Sequence, residues 1–273
     1  MIGFYYRESN SRSISASNRL KDLFKSCKMS YRDVGESAKP SEVSDIDLLI
    51  VFGGDGSVLK ASKIALDKFP IIAINTGNVG FLTSYEESEL ERLVEDVKSG
   101  KLKYSTRRFM KVRCNGNVYY ALNDAVVVKN YAFDNSSGCV KLHFSIDGEH
   151  VDDYVADGLI ISTPTGSTAY ALSAGAPIIT PRVDALVAAP ICAHTLHSRP
   201  IVFASIARPV ITVAEKSKEC ALYIDGVLAE KIAGGGSVEI EKGDKSLKIC
   251  DFAENFFKKL SMKLNIWSTN DNA

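Results

Sequence analysis

The sequence is short of several things that would narrow its use at once. Among its 273 residues, no two of the six cysteines (Cys27, Cys114, Cys139, Cys192, Cys220 and Cys250) stand at CxxC spacing. A zinc knuckle is therefore not indicated, and the thiols read as small core residues of a reducing compartment. Charge of one sign is lacking too: 33 Lys and Arg balance 33 Asp and Glu, which argues against a nucleic-acid coat or a polybasic membrane anchor. No apolar run approaches the length of a membrane span. Met1 to Arg7 has the residues of a first strand rather than a charged-then-apolar leader. His194 and His197 lie close together, but in no metal-binding spacing. Order along the chain supports no Ser-His-Asp assignment, and there are no repeats or low-complexity linkers. The expectation is a soluble, cytoplasmic protein that takes neither nucleic acid nor membrane as a partner.

What is present is an ordinary globular composition, 45% hydrophobic and 24% charged, with a change of texture near Gly100. Before it, strands and helices alternate. Ile2 to Tyr6, Asp47 to Phe52 and Ile71 to Ile74 are apolar runs without polar alternation, suited to strands buried on both faces. Ile14 to Cys27 and Ser57 to Leu66 carry helical spacing, and Ser84-x-x-Glu87 reads as a capping box opening a helix that ends at Gly100. After Gly100 the chain reads as strands. Asn115-Gly116, Asp147-Gly148 and Asp225-Gly226 are hairpin signals, and Lys242-Gly243-Asp244 separates two further strand-like runs. In the tail, Phe252, Phe256, Phe257, Leu260 and Leu264 fall at helical spacing and demand a surface to pack on, which the first domain would supply. The fold class expected is α/β plus β. An α/β domain over 1–100 and 250–273 would accompany a β-rich domain over 101–249.

Gly53-Gly54-Asp55-Gly56-Ser57 lies between a buried strand and a helix. Glycines bring backbone close to a ligand, and the N–H groups at a helix start hold phosphate oxygens. The loop is neither a dinucleotide GxGxxG nor a Walker loop. Asp55 is out of place beside phosphates unless it has a task. It could accept a proton from an attacking hydroxyl, help hold a divalent cation, or cap the helix as an ordinary turn residue.

Three more stretches stand out. Asn75-Thr76-Gly77-Asn78-Val79-Gly80-Phe81-Leu82 follows the next strand, at the edge where open α/β sheets bind ligands, and reads otherwise as a polar turn. Asn123-Asp124 interrupts an apolar strand and calls for partners, from a ligand hydroxyl or from a turn. Asp157 to Gly175 runs from a strand into a hydroxyl- and glycine-rich bend and then a helix of small residues. Its hydroxyls and Asp157 suit sugar or amide groups and Tyr170 suits a base, whereas close packing is the plainer explanation.

These stretches together resemble the NAD kinases, from about residue 48 to about residue 228. The family's GGDG loop corresponds to Gly53 to Gly56, its NxGxxGFL stretch to Asn75 to Leu82, and its Asn-acid pair to Asn123-Asp124. Its DGxxxSTPTGSTAYxLSxGGP segment corresponds to Asp157 to Pro177, and its PICPH and RPIV stretches to Pro190 to His194 and Arg199 to Val202. The GGDG loop is shared with phosphofructokinases and lipid kinases; the Asp157 segment points to NAD. Departures include Ser57 for the usual Thr, Val79 for Leu, Ala176 for Gly and Ala193 for Pro. Val155 and Val227 stand where some members carry a basic residue and a Gln.

The resemblance implies a three-layer α/β nucleotide-binding domain and a β-sandwich-like domain. The C-terminal helix would return to the first domain, and the active site would lie between the two. It implies transfer of the ATP γ-phosphoryl group to the 2′-hydroxyl of the adenosine ribose of NAD, with magnesium or another divalent metal whose ligands it leaves unassigned. Asp55 would be the base. Gly53, Gly54, Gly56 and Asn78 would cradle phosphates, and Asn123, Asp124, Asp157, Thr168, Ala169, Tyr170, Ala171, Leu172 and Ser173 would hold the dinucleotide. A homodimer or homotetramer is expected. A lipid or sugar kinase sharing only the GGDG loop, and a non-catalytic NAD-binding sensor, are the competing readings.

Overall fold

The apolar runs without polar alternation become the strands of a parallel sheet. In the computed structural model, which describes residues 1–78, 80–130, 138–217, 219–251 and 255–269, β1 (Ile2–Tyr6) is followed by α1 (Ser11–Ser26) and β2 (Tyr31–Val34). Then come β3 (Leu48–Phe52), α2 (Asp55–Ala65), β4 (Ile71–Asn75), the two-residue β5 (Tyr85–Glu86) and α3 (Leu90–Ser99). The sheet order is β2-β1-β3-β4, all parallel. The chain therefore leaves β1 to one side and returns on the other, which places a topological switch point between β1 and β3. Every residue of β3 and β4 is buried. Phe4, Ile50, Phe52 and Ile74 face Ala16, Leu20 and Phe24 of α1 and Leu90 and Leu93 of α3; by alternation, Leu49, Val51 and Ala73 face the α2 side.

The second stretch is antiparallel. Its strands are β6 (Tyr104–Cys114), β7 (Asn117–Ala121), β8 (Asp124–Lys129), β9 (Val140–Ile146), β10 (Glu149–Ala156) and β11 (Gly158–Ser162). One helical turn, α4 (Tyr170–Ser173), follows. After it come β12 (Ala185–Ile191), β13 (Ile201–Ala204), β14 (Pro209–Val213), β15 (Cys220–Ile224), β16 (Val227–Ile232) and β17 (Ser237–Cys250). One sheet runs β13-β12-β11-β8-β15-β16; the other joins β10-β9-β14-β17, with β6 and β7 beside β17. A single apolar cluster, with Val112, Val127, Leu142, Phe144, Leu159, Ile161, Leu222 and Ile240 among its members, fills the space between them. This is a sandwich. Asn115, Asp147 and Asp225 take positive φ together with the glycine after each, which is the type I′ geometry expected of them.

The chain forms two compact units, Met1–Arg107 with Ser246–Ala273, and Arg108–Lys245. In the first, Ile249 at the end of β17 pairs in parallel with Ile71. Arg107 and Asp251, where the chain leaves and re-enters this unit, form a partly buried ion pair at 2.8 Å. The last element, α5 (Asn255–Thr269), belongs to the same unit, as the resemblance implied. Its Phe256 ring lies 6.0 Å from that of Phe81. Phe252, and the side chain of Leu264, lie outside the described residues.

Three local expectations need correction. Ser84 caps no helix: Tyr85 is drawn into the sheet beside Ile74, and Glu89 instead accepts from the backbone N–H of Glu86, two residues later than the motif suggested. Lys242-Gly243-Asp244 is not a turn. β17 runs straight through it, because a side chain at Gly243 would overlap the carbonyl of Phe109 on the adjacent β6, so glycine there serves close approach. The helix of small residues after Thr168 is only α4, preceded by a 3₁₀ turn at Gly166–Thr168. It stops at Gly175, which takes φ of +80°, ahead of Pro177.

Candidate functional site

Chemistry-bearing residues gather in two places, one in each unit. The first is the carboxyl edge of β3 and β4. Gly53 follows β3 with its N–H on the carbonyl of Ile74, and α2 starts at Asp55 with Gly54 as its cap. Asp55 is thus inside the first turn, and the helix-capping reading is set aside. Its carboxylate reaches across instead: Oδ2 accepts from the N–H of Phe81 and Oδ1 from the N–H of Leu82, each at 2.9 Å. Gly80 is needed for this, since a side chain there would overlap Asp55 Oδ1. The two sequence stretches that looked like separate turns are therefore one structure, tied through Asp55.

The glycines of the loop divide into two kinds. Gly53 has no room for a side chain because Ser57 sits against it. Gly54, Gly56 and Gly77 have neither crowding nor left-handed backbone: among the described residues nothing lies within 4 Å of a Cβ built at any of them. A bare backbone turned to open space at the start of a helix is what an anionic ligand uses. Neighbouring contacts stiffen the edge. Asn75 donates to Glu86 at 3.0 Å and accepts from the N–H of Gly77, and Thr76 shares a hydrogen bond with Ser13 of α1 at 2.9 Å. Asn78 is exposed beside Gly77.

Two lysines from α5 complete this edge, and nothing in the sequence pattern beyond helical spacing marks them. Lys259 donates to the carbonyls of Phe81 and Thr83; burial lowers its pKa. Lys263, one turn further along, holds its ammonium 3.8 Å from Asp55 Oδ2 and 4.0 Å from the centre of the Phe81 ring.

The second place is in the sandwich. Asn123 lies in the bend before β8, and Asp124 begins that strand; they are 8% and 4% exposed. The turn residue Asp225 holds them from behind, its carboxylate accepting the N–H groups of Leu122, Asn123 and Asp124 at 3.1, 2.7 and 3.3 Å. Burial, and then the charge of Asp225, pushes the Asp124 carboxyl up to about 7. Asn123 Oδ1 is buried with no hydrogen-bond partner among the described residues, an acceptor that costs free energy until something donates to it.

The hydroxyl-rich segment after β11 packs directly on this bend. Thr163 donates its N–H to the carbonyl of Asn123 and its hydroxyl to that of Leu122, and a side chain at Gly166 would overlap Asn123. Ser167 is fully buried, accepting from the N–H of Ile179 at 2.9 Å. For these residues close packing is the correct reading. Beyond them the chain turns outward. Thr168, Ala169 and Leu172 are half-buried, Ser173 is exposed, and the Tyr170 ring is 46% exposed. Burial, then the charges of Cys192, Asp157 and Asp124, raises the Tyr170 phenol. Asp157 sits at the bend between β10 and β11, its backbone tied to Lys129 and Ile191. Ala171 differs from its neighbours: its methyl is buried against Val126, Ile160 and Val187.

Comparison with known proteins matches both units. Residues 3–102 match the model of the ATP-NAD kinase N-terminal domain and residues 122–252 that of the ATP-NAD kinase C-terminal domain. The NAD kinase of Petrotoga mobilis is 34% identical over 238 residues, 86% of this chain and 85% of that one. Yeast NADH kinase, solved with NADH, superposes with a TM-score of 0.85 over 97% of this chain and 87% of its own, at 21% identity. An NAD kinase from Archaeoglobus fulgidus, solved with ATP, gives 0.77 over 96% and 99%, at 23% identity. A kinase sharing only the GGDG loop would match neither the sandwich nor the segment after Asp157. Both the loop and the segment are held in place here, and the chain belongs to the ATP-NAD kinase family.

Proposed function

We propose that Asp55 is the proton acceptor in transfer of the ATP γ-phosphoryl group to the 2′-hydroxyl of the adenosine ribose of NAD. The activity itself is that of an NAD kinase, a phosphotransferase. The ribose oxygen attacks the γ-phosphorus and forms the new O–P bond. The bridging P–O bond to the β-phosphate breaks, its electron pair leaves on ADP, and the hydroxyl proton passes to Asp55. A neutral hydroxyl is a poor nucleophile, so a placed base is worth about 10²–10⁴-fold. The observation that carries this reading is the pairing of open backbone at Gly54 and Gly56 with an Asp55 carboxylate pinned by two N–H groups. Each oxygen keeps a lone pair for a further proton, and pinning supplies the positioning on which phosphoryl transfer depends.

In this reading the backbone of Gly54 and Gly56, with Asn78, cradles phosphates, while Gly53, whose N–H is taken by the Ile74 carbonyl, serves the tight approach of Ser57. Asn123 and Asp124 take hydroxyl or amide groups of the dinucleotide, Asp157 and Thr168 to Ser173 line its path, and Tyr170 offers an exposed ring for stacking. The unpartnered Asn123 Oδ1 supports a donor group on the ligand. Ala171 takes part through its backbone, since its methyl is in the core.

A divalent cation fits the loop as a companion of the triphosphate. No group of three or more His, Cys, Asp or Glu that could hold a metal occurs among the described residues, and magnesium is commonly held by one or two carboxylates plus substrate phosphates. Asp55 is the carboxylate in place for that, and the ion would neutralise charge on the phosphates. A homodimer or homotetramer is supported by exposed Val202 on the edge strand β13 and exposed Val227 and Leu228 on the edge strand β16. A cytoplasmic location is supported by six free thiols.

The test is NADP formation by the purified chain from NAD, ATP and magnesium, read with an NADP-specific dehydrogenase. ATP consumed without NADP would sink the reading in favour of another kinase, and NAD bound without turnover would leave a sensor.

A further inference from the structure

The two lysines of α5 that face the glycine-loop edge are used differently. Lys259 spends its donors on the carbonyls of Phe81 and Thr83 and so fastens the helix to the loop. Lys263 stands four residues on, on the same helix face. Its side chain is 23% exposed, and its ammonium makes no hydrogen bond among the described residues. At 3.8 Å from Asp55 Oδ2 it is close enough to offset charge and too far to donate. The Phe81 ring, 4.0 Å away, holds it there without using its N–H groups. A cation steered into place and left with unused donors, beside open helix-start backbone, matches polyphosphate chemistry.

We propose that Lys263 binds the terminal phosphates of the nucleotide donor, so that the site takes its cation from the C-terminal helix rather than from the glycine loop. The loop itself contains no Lys or Arg, unlike a Walker loop with its internal lysine. Lys263 offsets the repulsion between Asp55 and the triphosphate and keeps Asp55 next to the phosphate it serves. This deepens the reading of the loop as a phosphate site and rests on it.

The experiment uses the full chain with Lys263→Met and Lys263→Arg. It measures steady-state kinetics, binding of NAD alone, and binding of inorganic triphosphate by calorimetry. With Lys263→Met, triphosphate affinity should fall and KM for ATP should rise, each about tenfold or more, the range of one charged hydrogen bond. NAD binding should not change, and Lys263→Arg should recover much of the loss. Unchanged triphosphate binding in Lys263→Met overturns the proposal. So does a loss that Lys263→Arg fails to recover and that is accompanied by a lower melting temperature, because the lysine would then only dock α5. If the wild-type chain makes no NADP, the assigned activity falls, and the triphosphate titration still decides Lys263.

Discussion

The loop after β3 and the segment after β11 look alike in sequence. Each is a burst of glycine and hydroxyl residues following a strand buried along its length. They are built for opposite ends. After β3, Gly54 and Gly56 face open space and the backbone is left bare. After β11, Gly166 is pressed on the Asn123 carbonyl and Ser162, Thr163 and Ser167 are buried with their hydroxyls paired inside the chain. Small residues leave the backbone open in one place and admit another part of the chain in the other. In the second segment the run with an exposed ring and hydroxyl, Tyr170 and Ser173, comes after Thr168.

The largest effect expected is at the acid of the open loop. Asp55→Asn should lower kcat by about 10²–10⁴-fold while NAD still binds; near-normal turnover would remove Asp55 as the base. The amide also turns one N–H toward a backbone donor at Phe81 or Leu82. A modest drop in melting temperature should therefore accompany the loss, and calorimetry separates the two effects.

A pair of glycine variants tests the comparison directly. Gly166→Ala should destabilise the fold by about 1–3 kcal/mol, since it overpacks a closed contact. Gly54→Ala, at φ −93° and with nothing among the described residues within 4 Å of the added Cβ, should stay within about 0.5 kcal/mol of wild type and still lose activity, about tenfold or more, by obstructing the phosphate. Melting curves and kinetics on both variants should give opposite patterns. If both lose stability alike, the distinction between the loops is wrong.

The last effect is pH-dependent and belongs to the sandwich. Asp124 is raised to about 7 in the fold, against about 3.9 for an aspartate in an unfolded chain. Between those values the folded state holds more protons than the unfolded one, so Asp124 makes stability fall as pH rises from about 4 to about 7 and level off above. Asp124→Asn should flatten that part of the melting-temperature profile. A profile unchanged by the substitution would mean that Asp124 ionises freely.

Much of this was legible in local sequence, and the reasons for the rest are physical. The parallel strands and the Asn-Gly and Asp-Gly hairpins could be read because a buried strand and a type I′ turn each impose residue types on neighbours in the chain. Gly243 could not, because glycine serves a turn and a close strand contact equally well, and the strand it approaches is over a hundred residues away. Ser84 failed as a cap because pairing of Tyr85 with the sheet outweighed a local hydrogen-bond motif. Asp225 was visible only as a turn residue, although its carboxylate gathers the N–H groups that shape the Asn123-Asp124 bend.

The sequence by itself determined the classes of element, the glycine-loop acid and the hydroxyl- and glycine-rich segment after Asp157, because their patterns lie in consecutive residues. Tertiary structure alone decided what surrounds Asp55. Its two backbone donors are 26 and 27 residues ahead, and its cation, Lys263, comes from the far end of the chain. A carboxylate's task is set by what surrounds its oxygens, and no spacing rule records partners that only the folded chain brings within reach.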